Sequence, residues 1–450
     1  MRAVETVPAD TTPTEDHPRL SEAAAEAWIP RTCFKNGPPN QIGVELELLV
    51  VDAHRRDGPT THYPNQRFSS LVDELSRSGI DGLLTVEPGG QVELSSRPGV
   101  TLAETIDVVQ RDLSSLRSRA ARHGARLIGA GVDPFRPPRR TTDNLRYAAM
   151  ESYLDRWGTS GRLMMSSTAS VQINVEAGVD GPVEAPTRAG PKPLSGTRAR
   201  WDLLHAIGPA LIAAFANSSW SAGRPTGWKS YRQAIWMRLD PARTGVPPTR
   251  PGECLEASYA RWALDAPLMM VRRDHGSWTA PVSATFRDWL RCGRTVVPDR
   301  PPPNLDDLSY HLTTLFPQVR PKGYFEVRFI DAQPGPWWVV PAGVIGALLG
   351  DETLADKALD ACLPVADRWQ DAARVGLEDT ELGVSAQRVL QLAAEALAQD
   401  PVTKELSGSV AAYFQRWTER GRCPADDPPE MFDRAPANDQ YTSSNGEGQS

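Results

Sequence analysis

The sequence has few cysteines, no long apolar run and no apolar leader. Its five cysteines stand singly, at Cys33, Cys254, Cys292, Cys362 and Cys423. Such wide spacing fits neither a disulfide framework nor a zinc knuckle. The longest apolar stretches, such as PALIAAFA and VVPAGVIGALL, are too short to span a bilayer, and the N-terminal MRAVETVPADTTPTED lacks the apolar core of a signal peptide. These absences predict a soluble, cytoplasmic protein with reduced thiols.

Basic residues form no dense block. The net charge is -7 and the isoelectric point is near 5.6. This balance argues against a general nucleic-acid or anionic-membrane surface, whereas a local arginine cluster can still bind an acidic ligand. We therefore expect small-molecule substrates, no nucleic-acid partner and no membrane partner. The sequence does not determine an oligomeric state.

Several common catalytic signatures are also missing. The seven histidines show no zinc-ligand spacing such as HExxH. The segment GRPTGWKS resembles a phosphate-binding P-loop only superficially, because its glycine spacing is wrong and a tryptophan precedes the lysine. No GxGxxG follows a strand and no GxSxG elbow occurs. A bound nucleotide would therefore need a different kind of site.

The chain reads as one domain between two polar tails. Residues 1–18 and 424–450 are rich in Pro, Asp and Ser, so we expect both to be disordered. This leaves a single domain over residues 19–423, with loops expected at residues 180–198 and 241–253. Apolar periodicity predicts helices over residues 68–75, 101–124, 201–216, 338–349, 353–374 and 385–398.

Four predicted strands share one design, with an apolar back and a polar front that bears carboxylates. Strict alternation places Glu45 and Glu47 together on the front of the first strand. The other strands repeat the pattern over residues 91–95, 170–176 and 324–330. Their polar fronts carry Gln91 and Glu93, then Ser170, Gln172, Asn174 and Glu176, and finally Glu326 and Arg328.

Clustered acids on strand fronts indicate a cation. For any single strand, a solvated face explains the alternation equally well. Repeated acids on one face repel one another, however, and a protein that concentrates them usually supplies a cation. Carboxylate oxygens suit Mg²⁺. The basic residues Arg320, Lys322 and Arg328, and a second group around Arg232, indicate a polyphosphate or dicarboxylate ligand.

Six segments, in order along the chain, together resemble the glutamate–cysteine ligases of the branch shared by plants and many bacteria. Within that family they look most like the bacterial enzymes that supply γ-glutamylcysteine for ergothioneine synthesis. The segments are GVELELLVVD, EPGGQVELSSRP, RYAAMESYL, LMMSSTASVQINVE, FANSSWSAGRPTGWKSYRQAIWMRLDPAR and FPQVRPKGYFEVRFIDAQP.

The resemblance implies an α+β fold related to the catalytic domain of glutamine synthetase. In that fold a curved, mainly antiparallel sheet forms a funnel and helices pack outside it. It also implies that the domain is a catalytic ligase domain using ATP and Mg²⁺. ATP phosphorylates the γ-carboxylate of glutamate, and the amino group of cysteine then attacks the acyl phosphate.

The resemblance further implies roles for individual residues. It makes Glu45, Glu47, Glu93 and Glu326 the magnesium ligands. Gln172 and Asn174 match a pair that lines the glutamate or metal site, and Gln172 stands where a more distant branch often has histidine. Arg232 matches the catalytic arginine that holds a substrate carboxylate. Arg328, together with Lys322, matches the cations that meet ATP phosphates or the acyl phosphate.

Two alternatives stay open from the residues alone. One is a carboxylate–amine ligase of the same fold with an acceptor other than cysteine, since an amine nucleophile needs little dedicated machinery. The other is a non-catalytic sensor of glutamate or nucleotide. A sensor is expected to lose some of the acids, and this chain keeps all four.

Overall fold

A computed structural model describes residues 19–35, 41–53, 62–179, 192–249 and 253–428. Its strands are β1 (Ile42–Asp52), β2 (Leu83–Val86), β3 (Val92–Ser95), β4 (Ala125–Ile128), β5 (Ser170–Val175), β6 (Trp220–Ser221), β7 (Arg224–Pro225), β8 (Val319–Pro321) and β9 (Phe325–Asp331). Its helices are α1 (Glu22–Cys33), α2 (Asn65–Ser76), α3 (Leu102–Arg122), α4 (Leu145–Leu154), α5 (Ser160–Ser167), α6 (Thr197–Ala206), α7 (Gly208–Phe215), α8 (Tyr231–Met237), α9 (Pro241–Thr244), α10 (Leu255–Asp265), α11 (Phe286–Cys292), α12 (Leu305–Leu312), α13 (Val339–Gly350), α14 (Glu352–Cys362), α15 (Trp369–Val375), α16 (Thr380–Gln399) and α17 (Lys404–Arg416).

The main sheet is antiparallel at every pairing. Its strand order is β2-β3-β1-β5-β9-β8, and β4 pairs with the C-terminal part of β1. The predicted α+β class with a mainly antiparallel sheet is confirmed. Closure of that sheet into a funnel stays a prediction.

The four predicted strands are present, and their alternation is confirmed. On β1, Val44 and Leu46 are buried, whereas Glu45 and Glu47 are half-buried on the opposite face. The buried backs of β1, β5 and β9 join one apolar core, against which α3, α7 and α13 pack. Burial of this face leaves the polar face free for a site.

The register brings the polar residues of different strands side by side. Residues directly opposite each other in an antiparallel pair share a face of the sheet. The opposed front-face pairs are Thr85 with Glu93, Glu93 with Glu47, Glu45 with Gln172, Asn174 with Glu326, and Glu326 with Arg320.

Two predicted helices are wrong in their continuity, and proline explains both. The stretch predicted over residues 201–216 is divided into α6 and α7, and Pro209 stands in the first turn of α7. The stretch predicted over residues 353–374 breaks after α14, where Pro364 opens a short 3-10 helix. Proline removes a backbone donor and clashes with the preceding turn, so it begins a helix more readily than it continues one.

The predicted start of the C-terminal tail, residue 424, lies too early in the chain. Residues 424–428 are ordered, and a 3-10 helix over Pro424–Asp426 packs on the domain. The amide of Ala425 donates to the carbonyl of Ala216 (2.9 Å), and Asp426 pairs with Lys229. Residues 1–18 and 429–450 of the predicted tails lie outside the described residues, as do 180–191 and 250–252 of the predicted loops. Residues 241–244 of the second loop form α9.

Of the helices that the structure describes, none combines the length and apolar character needed to cross a bilayer.

Candidate active site

A cavity of about 1330 Å³ lies against the polar face of the sheet. Pockets for one small molecule commonly measure roughly 300–1,000 Å³, so this cavity has room for more than one substrate. The residues predicted for the site line it, except Glu326. They are Glu45, Glu47, Glu93, Gln172, Asn174, Arg232, Lys322 and Arg328.

Each predicted carboxylate on β1 and β3 is held by neutral donors. The side-chain amide of Asn174 donates to Glu45 (2.8 Å). Glu47 accepts from the Ser170 amide and from the Gln172 side chain, both at 2.8 Å.

Glu93 is held in the same way by hydroxyl groups. It accepts from Thr85 Oγ1 (2.9 Å) and from Ser95 Oγ (3.3 Å). Neutral donors orient these carboxylates without cancelling their charge.

Burial raises the pKa of every one of these carboxyl groups, and repulsion by neighbouring acids adds to the rise at Glu45 and Glu93. Burial, reinforced by the charges of Glu326 and Glu93, raises the pKa of Glu45 to about 7. Burial also raises the pKa of Glu47, against the opposing charges of Arg232 and Arg328. The pKa of Glu93 is raised by burial and by the charge of Glu47. A bound cation would stabilise the ionised form of such clustered carboxyl groups.

The donor chemistry fits Mg²⁺, which prefers hard oxygen ligands and usually keeps water or phosphate oxygens in its shell. Glu45, Glu47 and Glu93 are the residues that would hold it. Among the described residues, no three His, Cys, Asp or Glu side chains are arranged to hold one ion. Side-chain rotation and oxygens from a substrate must therefore complete such a site.

Glu326 differs from the other acids, because three cations neutralise it. Its side chain is 0% exposed. Arg320 donates to both of its oxygens (2.6 and 3.0 Å), Lys322 donates to Oε1 (3.0 Å) and Arg328 donates to Oε2 (2.6 Å). A carboxylate has about four lone-pair sites, and all four are taken. The predicted metal contact therefore requires one of these cations to turn away.

The three cations give this end of the cavity a strong positive charge. Arg328 also donates to the Oε1 atom of Gln172 (2.6 Å). This bond links the three cations to the carboxylate row, which is formed by Glu45, Glu47 and Glu93 on the same face of the sheet. Burial alone lowers the pKa of Lys322, but the charge of Glu326 outweighs it and the pKa is raised. Lys322 thus stays protonated at any physiological pH.

Arg232 lies at the cavity wall with donors to spare. It is 1% exposed, and its guanidinium lies 4.7 Å from the centre of the Trp236 ring. Nη2 donates to the Arg328 carbonyl (2.8 Å), whereas Nε and Nη1 are buried without a hydrogen-bond partner among the described residues. Buried donors are costly to leave unpaired, and a planar guanidinium suits a carboxylate. Contact between Arg232 and a substrate carboxylate stays a prediction.

The comparisons with known proteins give one family. The family model described as glutamate-cysteine ligase family 2 matches residues 41–445. This chain belongs to that family. Glutamate–cysteine ligase EgtA of Mycobacterium tuberculosis is 37% identical to this ligase over 90% of this chain and 89% of its own. The EgtA of Mycolicibacterium smegmatis is 36% identical over 90% of both chains.

Two further matches are weaker, one in coverage and the other in sequence identity. The chloroplastic glutamate–cysteine ligase of Arabidopsis thaliana is 32% identical over 65% of this ligase and 52% of its own chain. A solved glutamate–cysteine ligase from Francisella tularensis, in complex with AMP, aligns with 13% identity over 89% of this ligase and 92% of that chain, with a TM-score of 0.38.

Sequence reasoning misses two acids that line the ligase cavity, Asp81 and Glu87. Burial and the charges of Glu93 and Glu47 raise the pKa of Glu87 to about 8. No described donor reaches its carboxylate, unlike those of Glu45, Glu47 and Glu93. It precedes the Gly89–Gly90 turn, in which the Gly90 amide donates to the Glu87 carbonyl (2.9 Å).

The glycines of that turn were a usable signal. A Cβ atom at Gly89 would lie 2.2 Å from the carbonyl oxygen of Ser166, and Gly90 has a φ of +86°. Only glycine allows so close a backbone approach and so unusual a conformation. The backbone conformation of this turn is therefore fixed, and so is the position of Glu87 at its start.

The raised pKa values predict that the unliganded ligase loses stability as pH rises. The pKa values of Glu45 and Glu87 are about 7 and about 8 in the folded chain, against an ordinary value of 4.5. The folded state therefore binds more protons than the unfolded state between these limits. The resulting stabilisation is complete below pH 4.5 and is lost as pH rises through about 7 to 8.

We expect the melting temperature without divalent cations to fall by several degrees between about pH 6 and about pH 9. MgCl₂ should restore part of this loss at the higher pH, because it neutralises the acids. Differential scanning fluorimetry measures both effects, and NaCl of equal ionic strength separates binding from screening. A melting temperature that responds neither to pH nor to Mg²⁺ contradicts the proposed cation site.

Proposed function

We propose that this ligase joins the γ-carboxylate of L-glutamate to the amino group of L-cysteine, with ATP and Mg²⁺, through a γ-glutamyl phosphate. The products are γ-glutamylcysteine, ADP and phosphate. The observation that carries the proposal is one cavity that holds repelling carboxylates, three clustered cations and a buried arginine with unpaired donors. The EgtA relatives support glutamate and cysteine as the substrates.

Glutamate and the phosphates of ATP each have a complementary part of the cavity. The unpaired donors of Arg232 suit a carboxylate of glutamate, and Gln172 and Asn174 line the same cavity from β5. Arg328 and Lys322 suit the phosphates of ATP and the acyl phosphate. Glu45, Glu47 and Glu93 would hold Mg²⁺, which supplies charge neutralisation to the phosphates. Glu326 would join them after releasing one cation to a phosphate.

The proposed reaction has two bond exchanges. An oxygen of the glutamate γ-carboxylate attacks the γ-phosphorus of ATP, and ADP leaves with the electron pair of the broken P–O bond. The cysteine nitrogen then attacks the acyl carbon, and phosphate leaves. In the second exchange the ammonium nitrogen loses two protons, one to a base and one to the departing phosphate, which leaves as hydrogen phosphate. Arg328 and Lys322 stabilise the charge that develops on the phosphoryl oxygens, because they are fixed in place before the reaction.

Glu87 suits the proton acceptor. An amine attacks only in its neutral form, so the ammonium group of the acceptor must give up a proton. A general base works best when its pKa lies near the working pH, and the pKa of Glu87 is about 8. Its carboxylate receives no hydrogen bond from the described residues, which leaves its lone pairs available.

We further propose that the product feeds ergothioneine synthesis in the cytoplasm, on the strength of the similarity to EgtA. A different amine acceptor is the nearest alternative, since no described residue identifies the thiol contact. A non-catalytic sensor is disfavoured, because all four predicted acids are placed at one face of the sheet.

ADP release by the purified protein with glutamate, ATP and MgCl₂ tests the proposal. We expect release to depend on cysteine and on Mg²⁺, with γ-glutamylcysteine identified by mass spectrometry. Other amines at the same concentration serve as the control for acceptor choice. If release depends on an amine other than cysteine, the proposed acceptor is wrong. If no amine supports release, the proposed enzymatic function is wrong.

A further inference from the structure

The helix that carries Arg232 is tied to strand β9 by buried polar contacts centred on Asp331. Asp331 is 2% exposed and does not line the cavity. Its Oδ2 atom accepts from Ser218 Oγ (2.7 Å) and from the Asn217 amide (2.9 Å), and its Oδ1 atom accepts from Ser230 Oγ (3.0 Å). No described cation forms an ion pair with Asp331, and a buried carboxylate without such a partner costs free energy unless hydrogen bonds compensate for it.

Ser218 and Ser230 connect Asp331 to the first turn of α8 through hydrogen bonds. The Ser218 hydroxyl donates to Asp331 and accepts from the Arg232 amide (3.1 Å). The Ser230 hydroxyl donates to Asp331 and accepts from the Gln233 amide (3.3 Å), which caps the helix. Asp331 therefore reaches the backbone of α8 by two short routes, one ending at the Arg232 amide and the other at the Gln233 amide.

The side chains of that turn are fixed to the same strand. Arg232 donates to the carbonyl of Arg328 (2.8 Å), and Gln233 donates to the carbonyl of Phe329 (2.9 Å). Space around the carboxylate is tight, since a Cβ atom at Gly131 would lie 2.5 Å from Asp331 Cγ. The carboxylate thus has one available position, and α8 is held to β9 along its first turn.

Charge reinforces the geometry. Burial lowers the pKa of Arg232, and the Asp331 carboxylate is the largest opposing influence. Asp331 consequently favours the charged guanidinium at a buried position where two of its donors lack partners. No other described acid both opposes the desolvation of Arg232 and contacts its helix.

We propose that Asp331 is a positioning residue, which holds the Arg232 guanidinium, through Ser218 and Ser230, where a substrate carboxylate binds. This inference rests on the proposed function, because it assigns that carboxylate to glutamate. Asp331 itself does not touch substrate. Loss of its contacts should weaken glutamate binding selectively, since the phosphate-binding cations are held by Glu326 instead.

The test compares Asp331→Asn, Ser218→Ala and Ser230→Ala with the unsubstituted enzyme. We expect the Kd for glutamate by isothermal titration, and the KM for glutamate, to rise about tenfold in each serine variant, as the loss of a buried hydrogen bond to a charged group implies. The rise should be larger in Asp331→Asn. The KM for ATP should stay within about twofold. Arg232→Lys supplies the reference phenotype.

Two controls separate positioning from general stability. Ser230→Thr keeps a capping hydroxyl and should restore most of the glutamate affinity that Ser230→Ala loses. Ser385→Ala removes a buried hydroxyl that donates to the Ala361 carbonyl (2.8 Å), far from the site, and should leave both KM values unchanged. Should Asp331→Asn fail to fold, the serine variants still decide the question.

Equal glutamate affinity in all variants overturns the inference alone. So does an equal loss of glutamate and ATP affinity, because a general loosening of the fold predicts that result. Absence of glutamate binding by the unsubstituted enzyme overturns the proposed function, and this inference with it.

Discussion

Glu45→Gln is expected to lower the rate of cysteine-dependent ADP release on the order of a thousandfold. One carboxylate lost from a metal site removes charge neutralisation that contributes several kcal/mol in the transition state. Glu45 is a half-buried acid at the centre of the carboxylate row, opposite Gln172 and held by Asn174. Its amide analogue keeps the size of the side chain and loses the charge. The rate at saturating substrates measures the effect.

The melting temperature should not fall in this variant. Burial, together with repulsion by Glu326 and Glu93, raises the pKa of Glu45, so removal of its charge relieves both the desolvation cost and the repulsion. Glu151→Gln is the matched control, since Glu151 pairs with Arg140 (2.9 Å) and does not line the cavity. Near-normal turnover in Glu45→Gln is incompatible with a metal ligand at this position.

Glu326→Gln is expected to abolish activity and to destabilise the protein as well. Removal of one partner from a buried ion pair typically costs about 3–5 kcal/mol, because the other partner keeps its buried charge. Three cations depend on Glu326, whose four hydrogen bonds hold Arg320, Lys322 and Arg328 in place. Urea unfolding and ADP release measure the two effects. A metal ligand alone would predict loss of activity with an intact fold.

Asp133→Asn separates the two contributions. Asp133 forms an equally buried pair with Arg136 (2.5 Å), outside the large cavity. We expect a comparable loss of stability in this variant, with turnover of the folded fraction preserved. Glu326→Gln protein that unfolds at the same urea concentration as the unsubstituted enzyme shows that the three cations do not depend on Glu326.

The pattern of alternating residues was sufficient to predict the four site strands and the polar side chains that they present to the cavity. Alternation is a local property, because successive side chains of a strand point to opposite faces whatever surrounds them. The helix after Thr101 was equally predictable, since its cap is local: the Thr101 hydroxyl accepts from the Glu104 amide (3.2 Å). In the two helices that proline interrupts, apolar periodicity continues past the point at which the helix ends.

The resemblance to a family added what periodicity does not contain, namely a reaction and a set of ligand roles. The family itself is confirmed. The roles of individual residues stay predictions, and Glu87 was absent from them. Its segment EPGGQVE was recognised as a motif, but only the packing of the Gly89–Gly90 turn shows that its first residue lines the cavity.

The sequence by itself determined which face of each strand is polar, which acids lie on that face and to which family the chain belongs. The tertiary structure decided which charged residues of different strands lie next to each other. Glu45, Glu93 and Glu326 look equivalent as acids on alternating strands. Strand order places Glu326 beside Arg320 and Glu93 beside Glu47, so that one acid is neutralised and the other repelled. Electrostatic energy depends on distance and burial, and neither is a property of a residue's neighbours along the chain.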